Sequence, residues 1–157
     1  MGFWGYKISQ NDDTVDVLDE WGDKYFKKYK SDTDDTIDWK KAKITKTDFK
    51  KAFPKMLNSA KIKSKNHGYL DLYLPFVIRS TKGYYNIYQI LGIYIIGRNI
   101  GFVFPKEFLN LSKASSYQLC ASFVIFSEDV QEKVIKMGLA LSRSIDRKGK
   151  QSLMSFF

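Results

Sequence analysis

Residues 83–97, with the sequence GYYNIYQILGIYIIG, form the longest stretch of the chain without a charged side chain. Fifteen residues would rise about 22 Å as an α-helix, which is less than the roughly 30 Å of a bilayer's hydrocarbon core. The stretch also contains Asn86, Gln89 and several tyrosines, which are poorly suited to lipid. It therefore predicts an element buried inside the protein.

A second apolar block resembles the first. Residues 88–96 (YQILGIYII) align without gaps on residues 117–125 (YQLCASFVI). Each block has Tyr-Gln, two apolar residues and then a small residue, where another backbone could pack closely. Two copies do not establish a repeat architecture, which needs at least three stacked units. We interpret both blocks as buried helices of similar composition.

Amphipathic spacing predicts further helices on both sides of these blocks. The acids that follow Asn11 form an N-cap signal, and apolar residues at near-helical spacing extend the first helix to about Lys30. Residues 31–38 are polar and acidic and predict a loop. A last helix begins after Ser127, whose neighbours Glu128 and Asp129 suit a helix N-terminus, and continues to Ile145.

A helix is also predicted after Thr47 and Asp48, with a break near Phe53 because Pro54 follows it. We expect a mainly α-helical domain spanning residues 1–145, with one small strand pair near residues 69–74 and 101–104, and a tail formed by residues 146–157. The alternative is an α+β fold in which residues 93–96 and 123–126 are strands, because these blocks are rich in Ile, Tyr and Phe.

Composition excludes several classes of protein. The chain has 157 residues, of which 44% are hydrophobic and 27% are charged, as expected for one globular domain. A single cysteine, Cys120, excludes a disulfide framework, and with a single histidine, His67, it leaves no Cys/His zinc site. We expect no cofactor, no metal, no membrane segment and a cytoplasmic location.

Acidic residues are concentrated at the N-terminal end. Residues 1–38 contain ten acids and five lysines, whereas the whole chain has a net charge of +9. Part of the acidic cluster has i, i+3 and i+4 spacing and falls on one face of the first helix. The acidic cluster has two interpretations. It is either a solvated helix face without a binding role or a docking face for a basic protein. The cluster comprises Asp12, Asp13, Asp16, Asp19, Glu20 and Asp23.

Lysines dominate the segment that follows, where residues 40–65 hold ten lysines and one acid, Asp48. Lysine is a hydrated point charge and suits bidentate recognition of bases less well than arginine does. The stretch therefore predicts solvation or diffuse attraction to nucleic acid. We call this set the lysine stretch; its members are Lys40, Lys41, Lys43, Lys46, Lys50, Lys51, Lys55, Lys61, Lys63 and Lys65.

No established catalytic pattern is found in the sequence, which contains no phosphate-binding glycine loop, nucleophile elbow or His-Glu-x-x-His motif. His67 is expected in a turn and Cys120 as a buried, inert thiol. Asp38-Trp39-Lys40 has the Asp-x-Lys form of metal nucleases, although a charge-rich loop explains it better. We therefore expect a protein that is not an enzyme, with nuclease activity as a distant third possibility.

The N-terminus resembles a family of small bacterial and viral domains. The matching residues are Met1-Gly2-x-Trp4-Gly5, Asn11-Asp12, Asp16 and Leu18-Asp19-Glu20, and residues 88–92 loosely resemble a later segment. Members are mainly helical and similar in size to immunity or anti-defence proteins. The resemblance implies no catalytic residue. The two glycines predict close backbone approach around Trp4, which a helix end would bury.

The C-terminus resembles the peptide that binds sliding clamps, Gln-x-x-Leu/Ile/Met-x-x-Phe-Phe. Residues 150–157 read KQSLMSFF, so that Leu153, Phe156 and Phe157 match the apolar plug, while Lys150 replaces the expected glutamine. The alternative is that these side chains fold back on the core. The leading hypothesis is an interaction protein of immunity or anti-defence type. The second is a DNA-associated accessory protein that uses the lysine stretch and this tail.

Overall fold

The computed structural model describes residues 3–63 and 74–157, and helices dominate this part of the chain. Short 3₁₀ turns follow the first helix, precede the hairpin, follow the fourth helix and lie near the C-terminus. The five α-helices of the described residues are α1 (Asp12–Tyr25), α2 (Lys46–Ser59), α3 (Ile87–Asn99), α4 (Lys106–Ala121) and α5 (Glu128–Ile145). The prediction of a mainly helical protein with a small strand pair is confirmed.

Helix α3, which contains most of the uncharged stretch, is the centre of the fold. Eleven of its thirteen residues are buried, and α1, α2 and α4 all pack against it. The side chain of Asn86 caps its start by accepting a hydrogen bond from the amide of Tyr88 at 2.9 Å. The Ile-rich segment 93–96 is therefore helical, and residues 122–125 form a 3₁₀ turn. The α+β alternative is wrong at both places.

The strand pair lies at a different position from the predicted one. Strands β1 (Val77–Ser80) and β2 (Gly83–Asn86) form an antiparallel hairpin in which Ser80 is the partner of Gly83. Gly83 has a φ of +126°, which an L side chain rarely adopts and which favours glycine at the turn. Of the predicted strands, residues 69–73 lie outside the described residues, and residues 101–104 are not in a strand.

The aromatic rings of residues 101–104 pack in the core, and the segment pairs with no strand of the described residues. The ring of Phe102 lies 4.7 Å from that of Phe49 on α2, and the ring of Phe104 lies 4.6 Å from that of Phe108 on α4. Phe53 joins the same cluster, with its ring 5.0 Å from that of Phe108. The segment therefore connects α2 to α4 through side chains rather than through backbone pairing.

Two helix boundaries also differ from the predictions. Helix α1 begins as expected, with the Asn11 side chain accepting a hydrogen bond from the Thr14 amide at 2.9 Å, but it ends at Tyr25, before the predicted Lys30. Helix α2 is capped by Thr45 and runs through Pro54 without a break. Pro54 is exposed, so the helix loses one backbone hydrogen bond where water can reach the freed carbonyl.

Candidate partner-binding surfaces

One side of α1 is buried, and this leaves some carboxylates of the acidic cluster exposed and others half-buried. Val17, Leu18 and Trp21 face the core, so the opposite side of the helix is exposed. Asp13 and Glu20 are half-buried at the edge of the helix. The other four carboxylates form an exposed row, which we call the acidic stripe and which comprises Asp12, Asp16, Asp19 and Asp23.

Most of the acidic stripe has no cation partner among the described residues. Glu20 pairs with Lys24 at 2.6 Å, and Asp23 pairs with Lys30. The ion pairs of residues 3–63 and 74–157 include none with Asp12, Asp16 or Asp19. The negative potential of this side of α1 is therefore largely uncompensated.

A groove of about 390 Å³ runs along the edge of the same helix. Asp13, Asp16 and Glu20 line one wall, and Lys61 and Lys63 line the other. The groove therefore combines both signs of charge, and Asp16 belongs both to its lining and to the acidic stripe. Asp12, Asp19 and Asp23 of the stripe lie outside the lining of the groove.

The lysine stretch occupies the exposed side of α2 and the turn before it. Phe49, Ala52 and Met56 form the buried side of the helix, so its lysines point away from the core. Lys61 is half-buried, and Lys65 lies outside the described residues. Lys63, which follows α2, is exposed. The exposed lysines on α2 or shortly before it are Lys40, Lys41, Lys43, Lys46, Lys50, Lys51 and Lys55.

The one acid within the lysine stretch is already occupied. The Asp48 carboxylate forms an ion pair with Lys28 at 2.6 Å and accepts a hydrogen bond from the Tyr29 hydroxyl. The bonds from Lys28 and Tyr29 lower the pKa of Asp48 to about 2. No lysine of the stretch forms an ion pair within the described residues, and the positive charge of this face is not neutralised locally.

The tail packs against the N-terminal segment and the core. Leu153 is buried, whereas Phe156 and Phe157 are half-buried. The amide of Ile8 donates a hydrogen bond to the Phe156 carbonyl at 2.9 Å, and the amide of Ser9 donates one to the Phe157 carbonyl at 2.8 Å. The three residues of the clamp-like plug would have to leave these contacts to enter another protein.

Trp4 does not have the predicted environment. It is 58% exposed, and the neighbouring Phe3 is packed instead, with its ring 5.1 Å from that of Phe76 and 5.5 Å from that of Tyr88. Gly5 does meet a close neighbour, because a Cβ at this position would lie 2.0 Å from the Gln10 side-chain oxygen. The expectation that a helix end buries Trp4 is wrong.

Asp38 and Cys120, two of the other candidate chemical groups, lie among the described residues. The Asp38 carboxylate accepts hydrogen bonds from the backbone amides of Lys40 and Lys41 at 3.1 and 3.3 Å, as in a turn. Cys120 is half-buried beside α5, and burial raises the pKa of its thiol. His67 lies outside the described residues. Within residues 3–63 and 74–157, no group of three His, Cys, Asp or Glu side chains could hold a metal ion.

One placement of basic residues could not be predicted from the sequence. Lys46, at the start of α2, and Lys150, in the tail, both lie beside Gly101, although 103 residues separate them in the chain. No motif or periodicity links the two positions. This placement depends on the path of the segment between α3 and α4.

Comparisons of this chain with protein-family models, curated proteins and solved structures found no match. Among the helices of the described residues, none has the length and apolar character required to cross a membrane. The function must therefore be argued from the charged surfaces themselves.

Proposed function

We propose that this protein is a non-enzymatic interaction protein that binds a basic protein partner through the acidic stripe of α1. The observation that carries the proposal is the row of Asp12, Asp16 and Asp19, which are presented on a rigid helix without a cation partner among the described residues. The buried face of α1, including the fully buried Trp21, holds this row in place.

The electrostatics of the stripe suit partner recognition. Carboxylates at i, i+4 and i+7 repel one another mildly in the free protein. A basic surface would relieve this repulsion, accelerate encounter and favour one orientation of the complex. The N-terminus resembles a family of small domains whose members are similar in size to immunity or anti-defence proteins. This resemblance supports a protein that binds and blocks, or accompanies, its partner in the cytoplasm (the host cytoplasm if the protein is viral).

A charge-matched pair of variants tests this proposal. The tagged protein is incubated with native host lysate, and captured proteins are identified by mass spectrometry and then tested in purified form. We expect Asp16→Asn/Asp19→Asn to weaken the complex at least fivefold, because each exposed ion pair contributes about 0.2–1 kcal/mol and several are coupled. Asp32→Asn/Asp34→Asn removes the same charge from the exposed loop and should have little effect. Equal effects of the two pairs would refute the acidic stripe as the docking face.

A second candidate function is a DNA-associated accessory role. It is favoured because no lysine of the lysine stretch forms an ion pair among the described residues. Helix α2 therefore keeps an exposed positive face. Binding should be independent of sequence and fall steeply with salt, with a slope of about −0.9 per phosphate contact on duplex DNA. Fluorescence anisotropy with two unrelated duplexes between 50 and 200 mM salt measures both properties. The clamp-like tail would join such a complex only after leaving its contacts with Ile8 and Ser9.

A further inference from the structure

Gly101 marks the place where two basic segments of the chain meet. A Cβ atom at Gly101 would lie 3.6 Å from Cε of Lys46 and 3.6 Å from Cβ of Lys150. The φ of Gly101 is +75°, which favours glycine, and the tight turn lets both lysines approach the backbone. The start of α2 and the tail therefore share one surface.

The position of Lys150 is fixed by the residue that follows it. The amide of Gln151 donates a hydrogen bond to the carbonyl of Arg98 at 3.0 Å, and its side-chain amide donates one to the carbonyl of Ser144 at 2.8 Å. These bonds tie the tail to the ends of α3 and α5. Lys150 is thus held beside Gly101, where Lys46 also lies, although it belongs to a terminal segment.

Lys46 and Lys150 lie beside Gly101, and Lys50 lies one helical turn from Lys46 on α2. Lys46, Lys50 and Lys150 are all exposed, and none forms an ion pair within the described part of the chain. Asp146, an acid of the tail, is instead engaged by Lys113 at 3.0 Å. Lys46 and Lys50, at i and i+4 on α2, repel each other mildly in the free protein, and a polyanion would relieve this repulsion.

We propose that Lys46, Lys50 and Lys150 form one composite surface, the basic seam, which binds the phosphate backbone of a nucleic-acid duplex. This inference rests on the second candidate function and assigns its contact to a specific place. Lys46 and Lys50 are one helical turn apart on α2, so they present two neighbouring charges, and Lys150 adds a third from another segment. Point charges without a planar fork suit phosphates and do not select bases.

The experiment compares two charge-matched double variants of the full chain. Lys46→Gln/Lys150→Gln removes two charges from the basic seam, and Lys133→Gln/Lys136→Gln removes two from the exposed side of α5. Binding to a 24-base-pair duplex is measured by anisotropy between 50 and 200 mM salt. We expect the first variant to lose at least fivefold in affinity at 100 mM salt and to reduce the salt slope by about 2. The second variant should change the affinity less than twofold.

The outcomes separate the inference from the function on which it rests. If the unaltered protein does not bind the duplex at 50 mM salt, the nucleic-acid candidate and the basic seam both fail. If it binds and the two double variants lose affinity equally, the seam is wrong while the candidate stands. Tighter binding to phosphatidylserine vesicles than to the duplex, measured by cosedimentation, would also overturn the seam. Circular dichroism should show unchanged helix content for both variants, because all four lysines are exposed.

Discussion

Gly138 on α5 lies so close to Cys120 on α4 that a Cβ at residue 138 would be 2.4 Å from the Cys120 sulfur. The same Cβ would be 2.8 Å from the carbonyl oxygen of Ser116. Glycine therefore lets the two helices approach with no side chain from α5 between them at this point, so that the Cys120 side chain of α4 fits there. Because real Cβ atoms do not tolerate such distances, the packing of α4 on α5 depends on this residue.

Gly138→Ala should destabilise the protein by about 1–3 kcal/mol, the usual cost of overpacking a core. In an open helix the same change would stabilise by up to about 1 kcal/mol, so the sign of the effect reports the contact. Urea denaturation followed by circular dichroism measures it. Gly92→Ala in α3 is the control, because its Cβ would have ordinary contacts of 3.9 and 4.0 Å and should be tolerated.

Adding Cys120→Ala to Gly138→Ala should restore part of the lost stability, and failure to do so would argue against the sulfur contact.

The tail should contribute to the free energy of unfolding through Leu153. This side chain is 7% exposed, and its truncation in Leu153→Ala is expected to cost about 2–5 kcal/mol. Ser152→Ala, at the exposed neighbouring position, should stay within about 0.5 kcal/mol of the unaltered protein. Denaturant midpoints of the three proteins provide the measurement. An unchanged midpoint for Leu153→Ala would mean that the tail detaches in solution.

Any binding of the tail to a sliding clamp should be weaker in the full chain than in a free peptide of residues 147–157. The peptide is unrestrained, whereas in the full chain Phe156 and Phe157 must first leave their hydrogen bonds with Ile8 and Ser9. Apparent affinity falls in proportion to the fraction of molecules with a released tail. Titration calorimetry with a purified clamp should show at least a tenfold difference. Equal affinities would show that tail release costs nothing.

Local signals predicted the helices well because those signals depend on neighbouring residues. Asn11 caps α1 as expected, and the uncharged block around residues 88–96 is a buried helix. Pro54 misled the interpretation, since an exposed proline removes one backbone bond without forcing the helix to end. A small strand pair was expected and is present, but residues 101–104 are not in it, and residues 69–73 lie outside the described residues. Residues 101–104 pack on α2 and α4 through their aromatic rings, and the spacing of apolar residues along the chain does not reveal such packing.

The candidate surfaces were only partly predictable from the sequence. Spacing placed the acids of α1 on one face, and the structure adds which of them are engaged, such as Asp23 by Lys30. Trp4 was expected inside and lies outside, because the adjacent Phe3 takes the packing position. The placement of Lys46 and Lys150 beside Gly101 depends on tertiary contacts between segments far apart in the chain. No local pattern carries that information.

Asp48 should make stability depend on pH in the acidic range. Lys28 and Tyr29 bond its carboxylate, and the pKa of Asp48 is lowered to about 2 in the folded protein, against about 4 in an unfolded chain. A depressed folded pKa means that the stabilisation is fully present above pH 4 and is lost as the pH falls from 4 to 2. Asp48→Asn should therefore lower stability at neutral pH and flatten its decline between pH 4 and 2.

The two stability curves for Asp48→Asn and the unaltered protein should converge near pH 2, where the carboxylate becomes protonated and the ion pair with Lys28 is lost. Lys28→Met should reproduce part of the effect, since it removes the cation that bonds the Asp48 carboxylate. Asp34→Asn is the control, because Asp34 is an exposed loop acid outside the ion pairs of the described residues. Urea midpoints measured at half-unit intervals from pH 2 to 7 decide the matter. Parallel curves for Asp48→Asn and the unaltered protein between pH 4 and 2 would show that this ion pair does not couple folding to pH.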